Sequence, residues 1–93
     1  MIRIAGDCVE VSGPMIMSGA ATLLAEGEAA IAANASAFDL AAVTDMDSSC
    51  LAVVFGWMRA ATAGGKTLRF LNLPQNLQSL AAVYGVADLL PSH

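Results

Sequence analysis

An α/β fold, with a mixed sheet of four or five strands and helices packed mainly on one face, is the class this sequence predicts. Three observations lead there. Apolar residues switch repeatedly along the chain between strand spacing and helix spacing. The breaks between those segments carry Gly, Pro, Asn, Asp and Ser, the residues that turn a chain. Strands alternating with helices need parallel crossovers, which lay helices over a sheet. The 93 residues suffice for one domain, 1–93, with a single core.

The elements follow in order. Ile2 to Ala5 and Cys8 to Val11 read as two short strands joined by a turn at Gly6-Asp7. Ser12-Gly13-Pro14 breaks the pattern. A helix is expected from about Ser18, its N-cap, to Ala33, with Ala20, Leu23, Leu24, Gly27, Ala30 and Ile31 on one face. Asn34-Ala35-Ser36 ends it. Ala37 to Val43 reads as a strand, Thr44 to Ser49 as a polar turn, and Leu51 to Ala63 as a second helix closed by Gly64-Gly65. Thr67 to Leu73 is a strand. Pro74 opens a third helix, Gln75 to Tyr84, with Leu77, Leu80, Ala81 and Tyr84 on one side, and Gly85 stops it. Val86 to Leu90 is a short apolar tail segment. Leu40, Val54, Leu68, Phe70 and Leu80 are the expected core.

Composition narrows the function. Hydrophobic residues make up 57% and charged residues only 13%, so part of the apolar surface is expected to meet a partner protein. The net charge is −4, and the four cations, Arg3, Arg59, Lys66 and Arg69, are scattered. Nucleic acid and anionic membrane surfaces both require clustered cations, so neither is an expected ligand. The apolar run from Cys50 to Met58 ends at Arg59, far short of the roughly 20 residues of a membrane span. Gly6, Asp7 and Glu10 interrupt any apolar region after Arg3, so no secretory leader is expected. Cys8 and Cys50 then read as free thiols in the cytosol.

The most distinctive stretch runs from Asp39 to Leu51. A strand ends, the carboxylate of Asp47 and the hydroxyls of Ser48 and Ser49 follow, and a helix begins. Asp47 and Ser48 suit the capping of free N–H groups in the first helical turn. The same position suits a functional hydroxyl, either a phosphate acceptor at the helix's positive end or a direct partner contact.

Asp39-Leu40, followed by Val43-x-x-Met46-Asp47-Ser48-Ser49-x-Leu51, resembles the signature of STAS domains. That resemblance, together with the element order, implies the SpoIIAA-like fold over essentially the whole chain. In the antagonist branch of the family a serine of this loop is phosphorylated by the anti-sigma factor, which implies Ser49 as acceptor, with Ser48 beside it. The stretch Leu80 to Pro91, with Asp47-Ser48-Ser49-Cys50-Leu51-Ala52, looks more like the STAS subunits of Mla-type phospholipid ABC transporters. In that branch the position carried over is Ser48. Cys50 stands where a glycine is usual in both.

The helix from Leu51 is apolar nearly all round. Leu51, Val54, Phe55 and Met58 are spaced to face the sheet, while Cys50, Val53, Trp57 and Ala60-Ala61 form a second stripe. That second stripe is either a partner contact, Trp57 being a favoured interface anchor, or is covered by the third helix. Gly64-Gly65-Lys66-Thr67 mimics the tail of a P-loop, but it closes a helix and opens a strand, the reverse of that motif's setting. Cys50 at a helix start could hold a lowered pKa or be a structural thiol. No Ser-His-carboxylate set can be assembled, and two cysteines with the terminal His93 give no metal-ligand spacing, so neither enzymatic activity nor a metal or other cofactor is expected.

The resemblance therefore implies a non-catalytic subunit. It would bind the transporter's ATPase on the cytoplasmic side of the inner membrane, within a complex with permease and lipid-binding subunits that maintains outer-membrane lipid asymmetry. Asp47, Ser48, Ser49, Cys50, Val53 and Trp57 would form the contact. The alternative is an anti-sigma-factor antagonist switched at Ser49.

Overall fold

The computed structural model describes residues 1–90; Pro91, which closes the C-terminal motif, and His93 lie outside the described residues. The elements are β1 (Ile2–Ala5), β2 (Cys8–Met15), α1 (Met17–Ala32), β3 (Ala37–Met46), α2 (Ser49–Ala63), β4 (Arg69–Leu71), α3 (Gln75–Val83) and a 3-10 turn at Ala87–Leu89. The sheet has four strands in the order β1-β2-β3-β4. β1 and β2 form an antiparallel hairpin, while β2–β3 and β3–β4 are parallel. The mixed α/β architecture is the predicted one.

Several boundaries differ from expectation. β2 does not stop at Val11 but passes through Ser12-Gly13-Pro14 to Met15, pairing there with Ala42 to Met46 of β3. Pro14 is tolerated because β1 pairs no further along β2 than Val11, so nothing on that side needs its missing N–H. Register shifts next to Ser12 and Pro14 absorb the irregularity. The same pairing extends β3 to Met46, converting most of the expected polar turn into strand. α1 begins at Met17 with Ile16 at the N-cap, and Ser18 caps nothing. β4 shrinks to three residues.

Helix ends behave as their residues dictate. All three α-helices close with the residue after the C-cap at positive φ, namely Asn34, Gly65 and Gly85. The next N–H then reaches back to the helix: Ala35 to Ala30, Lys66 to Ala61 and Val86 to Ala81. Lys66 also donates to the carbonyl of Ile31 at the end of α1, so the lysine of the P-loop-like run joins two helix ends.

One sheet face is apolar and one polar. Val9, Val11, Phe38, Leu40 and Phe70 are buried beneath the helices. On the other face Arg3 pairs with Glu10, and Asp39 accepts hydrogen bonds from Ala41 N–H and Asn72 Nδ2 at 2.9 and 3.0 Å. These two hydrogen bonds, the Asn72 one foremost, hold the Asp39 carboxyl below its usual pKa. Of the expected core, Leu40, Val54, Leu68 and Phe70 are buried, whereas Leu80 is only half-buried; Tyr84, expected on the same side of the third helix as Leu80, is exposed.

The centre of the core is Trp57, which is fully buried. Its ring lies 4.5 Å from that of Phe38, and Phe70 extends the cluster at 6.0 Å from Phe38. The indole Nε1 donates to the carbonyls of Leu23 and Leu24 in α1, each at 3.2 Å. Such an approach to a helix backbone requires a gap in its side-chain surface, and Gly27 is that gap. A β-carbon at position 27 would lie 2.0 Å from Nε1, and one at Gly56 would lie 2.6 Å from Leu24. The two glycines let α1 and α2 interlock, with Trp57 filling one slot and Leu24 the other.

Two outcomes follow. Gly27→Ala gains up to ~1 kcal/mol of helix propensity. The added carbon meets a rigid ring, and overpacking costs roughly 1–3 kcal/mol. Net destabilisation is expected in a denaturant melt, together with a shift of Trp57 fluorescence. Gly19→Ala, with open space around the new carbon, is expected to be neutral or stabilising; equal melts for the two variants would refute the slot. Phe70→Ala should cost about 3–5 kcal/mol, and an unchanged melting curve would remove Phe70 from the core.

Candidate functional site

Parallel pairing of β2 with β3 brings the C-terminal ends of both strands, and the starts of the helices that follow, to the same edge of the sheet. In open α/β sheets that edge is where ligands and partners are usually met. Here Asp47 occupies it. Its N–H donates to the Met15 carbonyl at 3.3 Å, holding the end of β3 beside the end of β2. Its Oδ2 accepts from the backbone N–H of Met17, the first residue of α1, at 3.1 Å. Its Oδ1 accepts from Ser49 N–H at 2.9 Å and from Ser49 Oγ at 2.5 Å. One carboxylate thus caps the starts of both α1 and α2, where free N–H groups and helix dipoles favour a negative charge. The Ser49 hydroxyl foremost, then the Met17 and Ser49 amides, hold the Asp47 carboxyl below its ordinary pKa.

The hydroxyls divide differently from the sequence reading. Ser48 stands at the N-cap of α2 with φ −62° and ψ −19°, already helical, and makes no side-chain cap bond. Asp47 does the capping, and the Ser48 side chain is exposed at the turn. Ser49 is half-buried, its hydroxyl committed to Asp47. Asp47, Ser48 and Ser49 do stand together at one end of the molecule.

Cys50, Val53 and Trp57 do not join them at the surface. All three are buried, and with Ala61 they form the inward stripe of α2. The expected assignment of the two stripes is therefore corrected. Leu51 and Val54 are buried as foreseen, but Phe55 and Met58 are only half-buried. α1 covers Trp57 through Gly27. Burial pushes the Cys50 thiol up to about 11, with the nearby Asp47 charge adding to it, so Cys50 is a structural thiol and not a reactive one. Cys8 is also free and raised, by burial first and then by Asp39.

Two features were missed from sequence. The first is the tie from Asp47 to Met17; its signal was the parallel pairing that makes the two strand-to-helix turns neighbours. The second is an open groove of about 770 Å³ on the outer side of α2, lined by Phe55, Met58, Arg59, Thr62, Ala63 and Leu89. Nothing in the helical spacing separated this outer apolar stripe from the inner one. Among the described residues no three His, Cys, Asp or Glu side chains gather into a metal-binding group, and no helix is long and apolar enough to cross a membrane.

The fold and this loop define a STAS domain. The family model described as "Mlab, STAS domain" matches residues 1–91, and the chain belongs to that family. Among solved structures it is similar to the anti-sigma factor antagonist SpoIIAA in its unphosphorylated form, with a TM-score of 0.65. The two are 19% identical, and the match covers 86% of this chain and 78% of the other, a likeness of fold. No curated protein matches the chain.

The Asp47 geometry predicts a pH dependence. A carboxyl whose folded pKa is depressed contributes stability that is fully present above the unfolded pKa, near 3.8, and is lost as pH falls through the folded value. Wild type should exceed Asp47→Asn in melting temperature at neutral pH, and the gap should close as pH drops below 3.8. A gap independent of pH would mean that the carboxylate charge plays no part in the clamp.

Proposed function

We propose that this chain is the non-catalytic accessory subunit of an Mla-type phospholipid ABC transporter. It docks on the ATPase at the cytoplasmic face of the inner membrane, in a complex with permease and lipid-binding subunits that maintains outer-membrane lipid asymmetry. The observation that carries this reading is the state of Ser48. Its hydroxyl is exposed, makes no cap bond, and sits on a turn that Asp47 fastens to two helices. A contact held in place before binding loses little entropy on docking. Membership of the MlaB-type STAS family supports the choice of partner.

A second reading, an anti-sigma-factor antagonist switched by phosphorylation at Ser49, draws on one contact. The Ser49 hydroxyl donates to the Asp47 carboxylate. A phosphate there would set like charges against each other and loosen the tie to Met17.

One experiment separates the two. Ser48→Asp adds a negative charge at the start of α2, where the helix dipole favours it, so the fold should survive. At a docked interface the same charge is desolvated and unpaired, which costs several kcal/mol and should weaken ATPase binding about a hundredfold. Ser49→Ala should leave binding largely intact. Pull-down of the ATPase with thermal melts of each variant measures both. Normal binding by Ser48→Asp, with activity abolished by Ser49→Ala, would replace the transporter reading with the phospho-switch.

A further inference from the structure

The two edges of the sheet are unequal. β4 has three residues and gives way to Asn72, whose φ is 57°. β1 has four, and among the described residues it pairs with β2 alone. Its outer side carries unused hydrogen-bonding groups. The Ser12 N–H donates to the Met1 carbonyl at 2.9 Å, and the Met1 amine donates to the Ser12 carbonyl at 3.1 Å. Bonded positions alternate along an antiparallel pair. Arg3 and Ala5 therefore turn their backbone groups inward, to Glu10 and Cys8, and the N–H and C=O of Ile2 and Ile4 point outward.

The side chains of this edge are sorted by face. Ile2 stands opposite Val11 and Ile4 opposite Val9, and both valines are buried beneath the helices, so the isoleucines lie on the apolar side of the sheet. Cover runs out along the strand: Ile2 is half-buried, but Ile4 is 56% exposed. Arg3 lies on the polar side, paired with Glu10. Such an edge is complementary to itself. A two-fold axis normal to the sheet keeps apolar side beside apolar side and sets outward N–H groups against outward C=O groups. Pairing β1 with β4 of another copy would be head-to-tail and would not close. Charge then selects the register. A pairing centred on Arg3 would set that guanidinium against its own copy, and like charges directly opposite are destabilising. A pairing centred on Ile4 sets Arg3 against the partner's Ala5 and covers the exposed isoleucine with its copy.

We propose that the partner of the β1 edge is a second copy of this chain, in a two-fold antiparallel dimer with Ile4 on the axis. The backbone of Ile4 exchanges hydrogen bonds with the partner's Ile4, and the two four-stranded sheets become one. The edges are short, so the dimer is weak and reversible. The Ser48 turn follows β3, two strands away from the β1 edge, and takes no part; the inference stands apart from the transporter reading.

The test is sedimentation equilibrium of the full chain across a range of concentrations, with thermal melts of each variant. Wild type should associate to a dimer and no further. Ile4→Pro removes an outward N–H that the folded monomer does not use, so it should melt near wild type while its dissociation constant rises about tenfold or more. Ile4→Lys, which sets like charges together on the axis, should do the same. Met17→Lys, a matched change at another exposed apolar residue, should dimerise as wild type. Register is read by cross-linking in a Cys8→Ala background under copper-catalysed air oxidation. Directly opposed bonded positions have Cα atoms about 5.5 Å apart, within disulfide reach. Ile4→Cys should cross-link rapidly and Arg3→Cys slowly. Faster cross-linking of Arg3→Cys would overturn the register. A wild type that stays monomeric up to about 1 mM, or that dimerises no better than Ile4→Pro and Ile4→Lys, would overturn the dimer.

Discussion

The seating of Trp57 in the slot at Gly27 is the contact on which the rest of this structure depends. The indole is the largest fully buried side chain of the core, and α1 accepts it because one residue has no side chain to obstruct it. The ring then does two things. It packs at a tilt against Phe38 and so fixes α2 over the sheet, and it donates to α1 carbonyls and so fixes α1 against α2. A fully buried large side chain stabilises by roughly 1.5–3 kcal/mol, and an aromatic pair adds about 0.5–1.5 kcal/mol. These gains are large against the few kcal/mol by which a domain of this size outlasts its unfolded chain.

With α1 and α2 so placed, their starts converge at the end of the parallel strands, and Asp47 can reach both. The carboxylate is the polar counterpart of the indole. The ring joins the two helices through their apolar faces, and Asp47 joins them through the N–H groups that neither helix can satisfy itself. The turn at Ser48 inherits its definition from both contacts. A serine that needs neither to cap nor to pack remains free to face a partner, while its neighbour Ser49 is bound inward.

Much of this was legible in the chain. The order of elements, the mixed sheet, the inner face of α1 and the helix stops at Asn34, Gly65 and Gly85 follow from apolar spacing and from residues that tolerate positive φ. The site's Asp47-Ser48-Ser49 turn was legible as a strand-to-helix junction. What was not legible has specific causes. β2 and β3 extend past their apparent ends because each supplies the other's ladder through Met15 and Met46, and pairing of residues some 30 positions apart leaves no local trace. Ser18 looked like a cap, but the chain turns earlier because Asp47, distant in sequence, receives the Met17 amide.

The sequence by itself determined that α2 would be apolar on two sides and would begin at a carboxylate and two hydroxyls. Only the tertiary structure decided which side turns inward. Helical periodicity places residues on faces but does not rank two apolar faces against each other; shape does. Trp57 goes in because α1 offers a gap at Gly27, and Cys50 and Val53, on the same stripe, turn inward with it. Phe55 and Met58, on the other stripe, stay half-buried along the open groove beside Arg59. The same holds for the hydroxyls. The order of residues put Ser48 and Ser49 side by side, and the position of one carboxylate between two helix ends bound one of them inward and left the other exposed at the turn.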